Sequence, residues 1–317
     1  MIEWILHRAD GTQHAISEPS SFRLAYGLGS PCDSFSLRCP WKAGQEGILN
    51  SVSRVLVKRD GELLFFGVLD EWECCFDASG YTLELIGRGV QALLLDNEAL
   101  SADYGVATLS DILRAYVTPY GVQTVGRPSL PPVTGFSVKS GSSCWQVLYQ
   151  FARYYGGITP RFDPQGRLVL LPFEDKPVRL LSSELPITKL LLRNKRYGVL
   201  SQVQVQNSVT KAIQTVKNEA FLQEGGSCSR VLMVPRNTGY QSMRYTAQYQ
   251  LAQSERERVR LEVTVAEGFV AWPGELVELN LFGFGGNGRY RVLEMNVSLG
   301  AEAYETELLL GAPEKAL

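Results

Sequence analysis

Residues 271–295 read AWPGELVELNLFGFGGNGRYRVLEM and contain a G-x-G-x-x-G at Gly283, Gly285 and Gly288. A phosphate cradle of this pattern needs a strand, a glycine turn and then a helix whose N-terminal N–H groups meet the phosphate. Here Gly288 is followed by RYRVLEMNV, which is β-branched, aromatic and alternating, with no cap and no helical stripe. No Lys-Ser/Thr pair follows to make a Walker loop. The stretch instead predicts a β-hairpin. One strand enters through Pro273-Gly274, glycines 283, 285, 286 and 288 supply positive φ in a wide turn, and a second strand returns.

Composition narrows the field. The chain has 317 residues, 45% hydrophobic and 20% charged, enough for two or three globular domains. A net charge of −2 argues against a nucleic-acid partner, which would bring a basic excess. Apolar runs such as Leu83–Leu95 are broken by Arg88 and fall short of the ~20 residues of a membrane helix. With Glu3 early and no small-residue cleavage site, the N-terminus does not read as a secretory signal, so a soluble protein folded in the cytoplasm is expected. Cysteines 32, 39, 74, 75, 144 and 228 have no metal-ligand spacing and are read as small apolar residues of a reduced protein.

Around the hairpin the chain reads as β, then α+β, then β. In SRVLVKRDGELLFFGVLDEW, Asp60-Gly61 between alternating apolar runs predicts a type I′ hairpin. FDASGY then turns the chain into YTLELIGRGV, where Thr82 and Glu84 alternate with Leu83 and Leu85. From Leu95 the texture changes. Thr108-x-x-Asp111 comes close to a capping box, Ser143-x-x-Gln146 predicts one, Gly156-Gly157 an αL helix end, and Asp163-Pro-Gln-Gly166 a hairpin turn. The Pro-rich RPSLPPVTG (127–135) reads as a loop.

Strand texture returns with Pro186–Asn207, where Val203 and Val205 alternate with glutamines, and GGSCSR (225–230) reads as a loop. A helix near 240–256 places Met243, Ala247, Leu251 and Ser254 on one face, and four strands follow. The predicted fold class is β-rich α+β: two antiparallel β-barrel (tube-type) domains separated by a small α+β domain. The expected domains are 1–95, 96–176 and 177–317, with strands near 178–207 open to completing the first barrel. The two β blocks invite a duplication, although no residue-level repeat is visible.

Catalytic patterns are weak. The only histidines, His7 and His14, accompany no G-x-S-x-G and lack H-E-x-x-H spacing. Asp70, Glu71 and Glu73, like the pairs Glu275/Glu278 and Glu305/Glu307, decorate strands whose neighbours alternate faces, where solvated positions are expected. SERERVR (254–260) reads as a solvated helix face, and Asn296-Val-Ser298 matters as a glycosylation acceptor only in a secreted chain. Catalytic, cofactor-binding and metal residues are therefore all assigned as none, and no cofactor is expected.

The order of these features resembles phage tail hub proteins, the late-control-protein-D family, which is similar to the N-terminal part of the type VI secretion spike. The resemblance rests on FFGVLDEWECCFDASGYTLELIGRGVQALLLDNEA with its GRG…LLD segment, TLSDILRAYVTPYGV, GSSCWQVLYQFARYYGGITPRFDPQGRLVLLP, the helix near 240–256 and the final GRYRVLEMNVSL and YETELLL. It spans roughly residues 50–310 and implies a non-enzymatic baseplate hub of a contractile phage tail or phage-like particle such as a tailocin. In that family two barrels per chain make a homotrimeric, pseudo-sixfold ring, a symmetry adaptor between the hexameric tail tube protein and the trimeric spike protein, in contact with other baseplate proteins. No lysozyme- or peptidase-like stretch is read after the second β block, so no enzymatic residue carries over. The alternative expectation is a cell-wall hydrolase or carbohydrate-binding tail module.

Overall fold

A computed structural model describes residues 2–313 apart from 17, 30–31, 79, 176–177, 237, 257, 267 and 301–303. Ser79 of the FDASGY turn and Glu257 of the charge run thus lie outside the described residues.

The protein is β-rich, with large antiparallel sheets and few helices. Thirteen strands join in one sheet, and both β blocks contribute to it. The N-terminal block supplies Ile2–Arg8, Gln13–Ile16, Ser21–Gly27, Ser34–Pro40, Val52–Arg59, Glu62–Asp77 and Gly80–Gly89. The C-terminal block supplies Val178–Ser182, Ile187–Asn194, Val259–Ala266, Leu276–Asn280, Gly288–Leu299 and Tyr304–Gly311. They meet where Gly288–Leu299 pairs antiparallel with Ser21–Gly27, from Glu294 opposite Gly27 to Leu299 opposite Phe22. Among the described residues no ring of strands closes on itself by hydrogen bonds. The two blocks instead share one apolar core, with Trp4, Phe35 and Phe65 from the first and Val263, Met295 and Leu310 from the second.

Local signals produce the expected turns. Asp60 and Gly61 both take positive φ, 52° and 84°, and Arg59 pairs with Glu62 across them. The opening stretch is a hairpin, Leu276–Asn280 against Gly288–Leu299, with Leu279 opposite Gly288. Its loop is closed by a side chain: Asn287 Oδ1 accepts from the Leu281 amide at 2.8 Å while Asn287 Nδ2 donates to the Leu281 carbonyl at 2.7 Å. That arrangement stands in for a further ladder rung and corrects the expected role of the glycines. Only Gly283 (72°) and Gly288 (149°) have positive φ; Gly285 and Gly286 do not.

Gly283→Ala is therefore expected to destabilise the protein by about 1 kcal/mol, the strain of placing a Cβ at left-handed φ in otherwise open space. Gly285→Ala should leave stability unchanged or raise it by up to about 1 kcal/mol. Denaturant unfolding of the two variants checks the contrast.

Two smaller units sit on this sheet. The first has its own core around Ile112, Phe136, Leu148 and Phe151. Both capping boxes form, at Thr108/Asp111 and Ser143/Gln146, and Gly157 ends the second helix at φ 64°. Arg161–Phe162 and Leu168–Val169 form the hairpin turned at Asp163–Gly166, with the Asp163 carboxylate accepting from the Gln165 and Arg167 amides. The Pro-rich stretch is shorter than expected as a loop, because Val133–Val138 pairs with Ala102–Ala107. That pairing buries Val133, Phe136 and Val138.

The other unit is a three-stranded sheet under a helix. Gln202–Asn207 lies centrally, antiparallel to Ile213–Lys217 and parallel to Ser229–Val234, so the GGSCSR loop ends at Cys228. Val203 and Val205 point inward onto Met243, Ala247 and Leu251 of Tyr240–Arg256, as the spacing predicted, while the buried Asn207 donates to the carbonyls of Pro235 and Arg236. Ser254 Oγ accepts from the Leu200 amide at 3.0 Å. Of the strands near 178–207, Val178–Ser182 and Ile187–Asn194 pair with Leu276–Asn280 and Val259–Ala266, inside the C-terminal block. Gln202–Asn207 joins neither block.

Candidate functional site

Two features stand out: a cleft between the α+β unit and the large sheet, and a set of open strand edges. The cleft encloses about 480 Å³. One wall comes from the helix Cys144–Gly156, where Trp145 and Tyr149, four residues apart, face the same way. Phe162 joins them from the hairpin, with its ring 5.9 Å from Trp145. Opposite, Tyr26 at the end of its strand meets Trp272 edge-on at 5.2 Å. The turn after Trp272 requires its glycine: Gly274 has φ 96°, and a Cβ there would lie 2.2 Å from the Phe173 ring.

Carboxylates complete the lining. Asp163 pairs with Arg167 at 2.7 Å, and Glu275 pairs with Arg179 at 3.4 Å while accepting from the Trp272 amide. Asp33 is placed differently. It accepts from Gln91 Nε2 at 2.8 Å and from the Gly27 amide at 3.3 Å, and burial pushes its carboxyl up to about 6 despite these donors. The neighbouring Cys32 thiol is pushed up to about 12, mainly by burial and also by the Asp33 charge, which leaves it a poor nucleophile at neutral pH. Arg161 stacks 4.0 Å from the Phe173 ring and donates to the Leu171 and Pro172 carbonyls.

The strand edges form the second feature. Gln13–Ile16 and Ile187–Asn194 end the long sheet path, and Val178–Ser182 is paired on one side. Near the last two, Leu180, Leu191 and Leu192 are exposed, and Phe282 is fully so at the tip of the glycine loop. Its amide donates to Ser183 Oγ at 2.9 Å, and a Cβ on Gly286 would touch Leu192, so this loop lies against those strands. Unpaired edges beside apolar side chains are what a sheet presents to another chain.

Of the residues weighed from sequence, Glu275 lines the cleft and His14 lies on an edge strand, and the others lie elsewhere. His7 and His14 sit on the paired strands Ile2–Arg8 and Gln13–Ile16. A bulge at Asp70 interrupts the expected alternation, and Asp70 and Glu71 are both exposed. Asp70 and Asp96 clamp Arg88 at 2.7 and 2.6 Å, which gives the GRG…LLD segment a structural reason. Glu278 and Glu307 form surface pairs with Arg289 and Arg23. The cysteine reading needs correction. Cys39 and Cys144 are buried, but Cys74, Cys75 and Cys228 are exposed, the first two because their strand runs on past the core. Sequence reasoning missed the cleft altogether, since Tyr26, Asp33, Gln91, Trp145 and Trp272 carry no shared spacing; the Trp272-Pro-Gly turn was its one visible mark.

A tail protein from Neisseria meningitidis MC58 superposes with a TM-score of 0.78 at 19% identity, over 98% of this chain and 96% of that one. The 43 kDa tail protein of prophage MuSo2 from Shewanella oneidensis gives 0.78 at 17% identity, over 98% of both chains. This is the fold of phage tail proteins. A component of the Escherichia coli type VI secretion system, itself similar to the T4 tail proteins gp27 and gp5, shares the tail-protein fold with a TM-score of 0.56 at 13% identity, over 93% of this chain and 73% of that one. No protein-family model and no curated protein matches the chain. Among the described residues, no helix of this tail-protein fold is long and apolar enough to cross a membrane.

Proposed function

We propose that the chain is a structural, non-enzymatic baseplate hub of a contractile phage tail or phage-like particle. Three copies form a ring with pseudo-sixfold symmetry that joins a hexameric tail tube to a trimeric spike. The observation that carries this reading is the end-to-end likeness to phage tail proteins, which covers nearly all of this chain and of those. Two β blocks of seven and six strands in one chain support the symmetry argument, because three copies then present six such blocks. Residues 1–95 and 177–317 carry the tube-type barrel domains, the second with the Gln202–Arg256 unit inserted in it, and 96–176 act as the unit between them. Open edges and the Leu180–Phe282 face are where neighbouring subunits meet, so that closure of the ring removes edges that would otherwise aggregate. Its partners are further copies of itself, the tail tube protein, the spike protein and other baseplate proteins, and its place is the tail of the particle.

Native mass spectrometry of the purified chain, alone and with tube and spike proteins, tests the proposal. The expected result is a species of three times the chain mass that also captures both partners. A protein that stays monomeric, never joins the particle and digests peptidoglycan would sink it in favour of the hydrolase reading.

A further inference from the structure

We propose that the cleft between the Trp145 helix and the Trp272 turn is a receptor for one basic side chain, an arginine or lysine carried by a partner protein segment. This goes beyond the hub reading and does not depend on ring formation.

Size sets the first limit. About 480 Å³ admits a long side chain with its flanking backbone, and it falls in the range of sites that enclose small groups rather than dock domains. The walls set the second. Trp145 and Phe162 on one side and Tyr26 and Trp272 on the other line the cleft with aromatic rings, and indole is the best ring for a cation.

Charge decides between a cation and a neutral guest. Asp163 and Glu275 already have arginine partners and Glu174 lies in the field of Arg161, whereas Asp33 has no ion-pair partner among the described residues. Among the described residues, the Asp33 carboxylate receives only an amide N–H and one long backbone N–H. A neutral saccharide would fill the space and leave that carboxylate uncompensated, whereas a guanidinium or ammonium compensates it. The same wall already seats guanidiniums. Arg161 stacks on Phe173 at 4.0 Å, Arg291 lies 6.0 Å from the same ring, and both donate to backbone carbonyls of the cleft lining or its surroundings.

The test is a calorimetric titration of the full chain with acetyl-Gly-Arg-Gly-amide. Parallel titrations use the citrulline counterpart, which keeps the shape and loses the charge, and tri-N-acetylglucosamine. The arginine peptide is expected to bind saturably, and the citrulline peptide at least about ten-fold more weakly. Asp33→Asn should weaken arginine binding by roughly ten-fold, and Glu174→Gln, on the exposed rim, by about three-fold. Circular dichroism confirms that each variant is folded; should Asp33→Asn fail to fold, the rim variant alone decides. Equal binding of the two peptides, a preference for the saccharide, no saturation by about 10 mM peptide, or folded variants that bind as the parent does would each overturn the proposal.

Discussion

Gly87→Ala is expected to destabilise the protein by about 3 kcal/mol or more, enough to remove most of it from the soluble fraction. A Cβ at Gly87 would stand 2.1 Å from the Val68 carbonyl oxygen and 2.4 Å from the Phe35 ring. Neither neighbour can give way cheaply. The carbonyl is backbone of the adjacent strand, whose Leu69 is paired with Gly87, and Phe35 is buried against Trp4 and Phe65. Relief would require prying Glu62–Asp77 from Gly80–Gly89 where Arg88 already holds Asp70 and Asp96. Thermal unfolding beside Gly285→Ala, whose added methyl meets nothing within 4 Å, checks this. A midpoint within about 2 °C of the parent would contradict it.

Arg291→Met carries the second large effect, about 3 kcal/mol. Arg291 is only 1% exposed, although it lies on a strand of the large sheet. Its guanidinium donates to the carbonyls of Gly274 at 2.6 Å and Pro313 at 2.8 Å and to Asp175 at 3.0 Å. Methionine fills the volume but strands two carbonyls that had charged donors. Asp175, half-exposed, regains water and moderates the loss. Arg291→Lys should recover only part of the stability, since an ammonium does not reproduce a forked donor reaching several acceptors. Denaturant midpoints of the three proteins, with Met lowest and Lys between, are the expected order; equal midpoints for Lys and Met would show that charge contributes nothing there.

What was legible in the sequence was local. Asp60-Gly61, the two capping boxes, the Asp163–Gly166 turn and the inward face of Tyr240–Arg256 each depend on residues within one turn or hairpin, and each formed. The glycine loop was read correctly as a hairpin and incorrectly in detail, because Asn287 closes it through its side chain and so relieves Gly285 and Gly286 of unusual φ. Pairing between distant segments was not legible. Nothing in RYRVLEMNVSL names SFRLAYG as its neighbour, and the parallel pairing of Gln202–Asn207 with Ser229–Val234 runs through a crossover that alternation does not reveal. The cleft shares that obscurity, being assembled from residues as far apart as Tyr26 and Trp272.

The seam between Ser21–Gly27 and Gly288–Leu299 also sets a timetable for synthesis. Gly27 leaves the ribosome about 270 residues before its partner Glu294, a delay of roughly 15–50 s at about 5–20 residues per second. Throughout that interval the N-terminal strands have an unpaired flank and lack half of their shared interior, including Val263, Met295 and Leu310. An unpaired strand flank and an open core are what make a nascent chain prone to aggregate, so this exposure lasts until the last strands emerge.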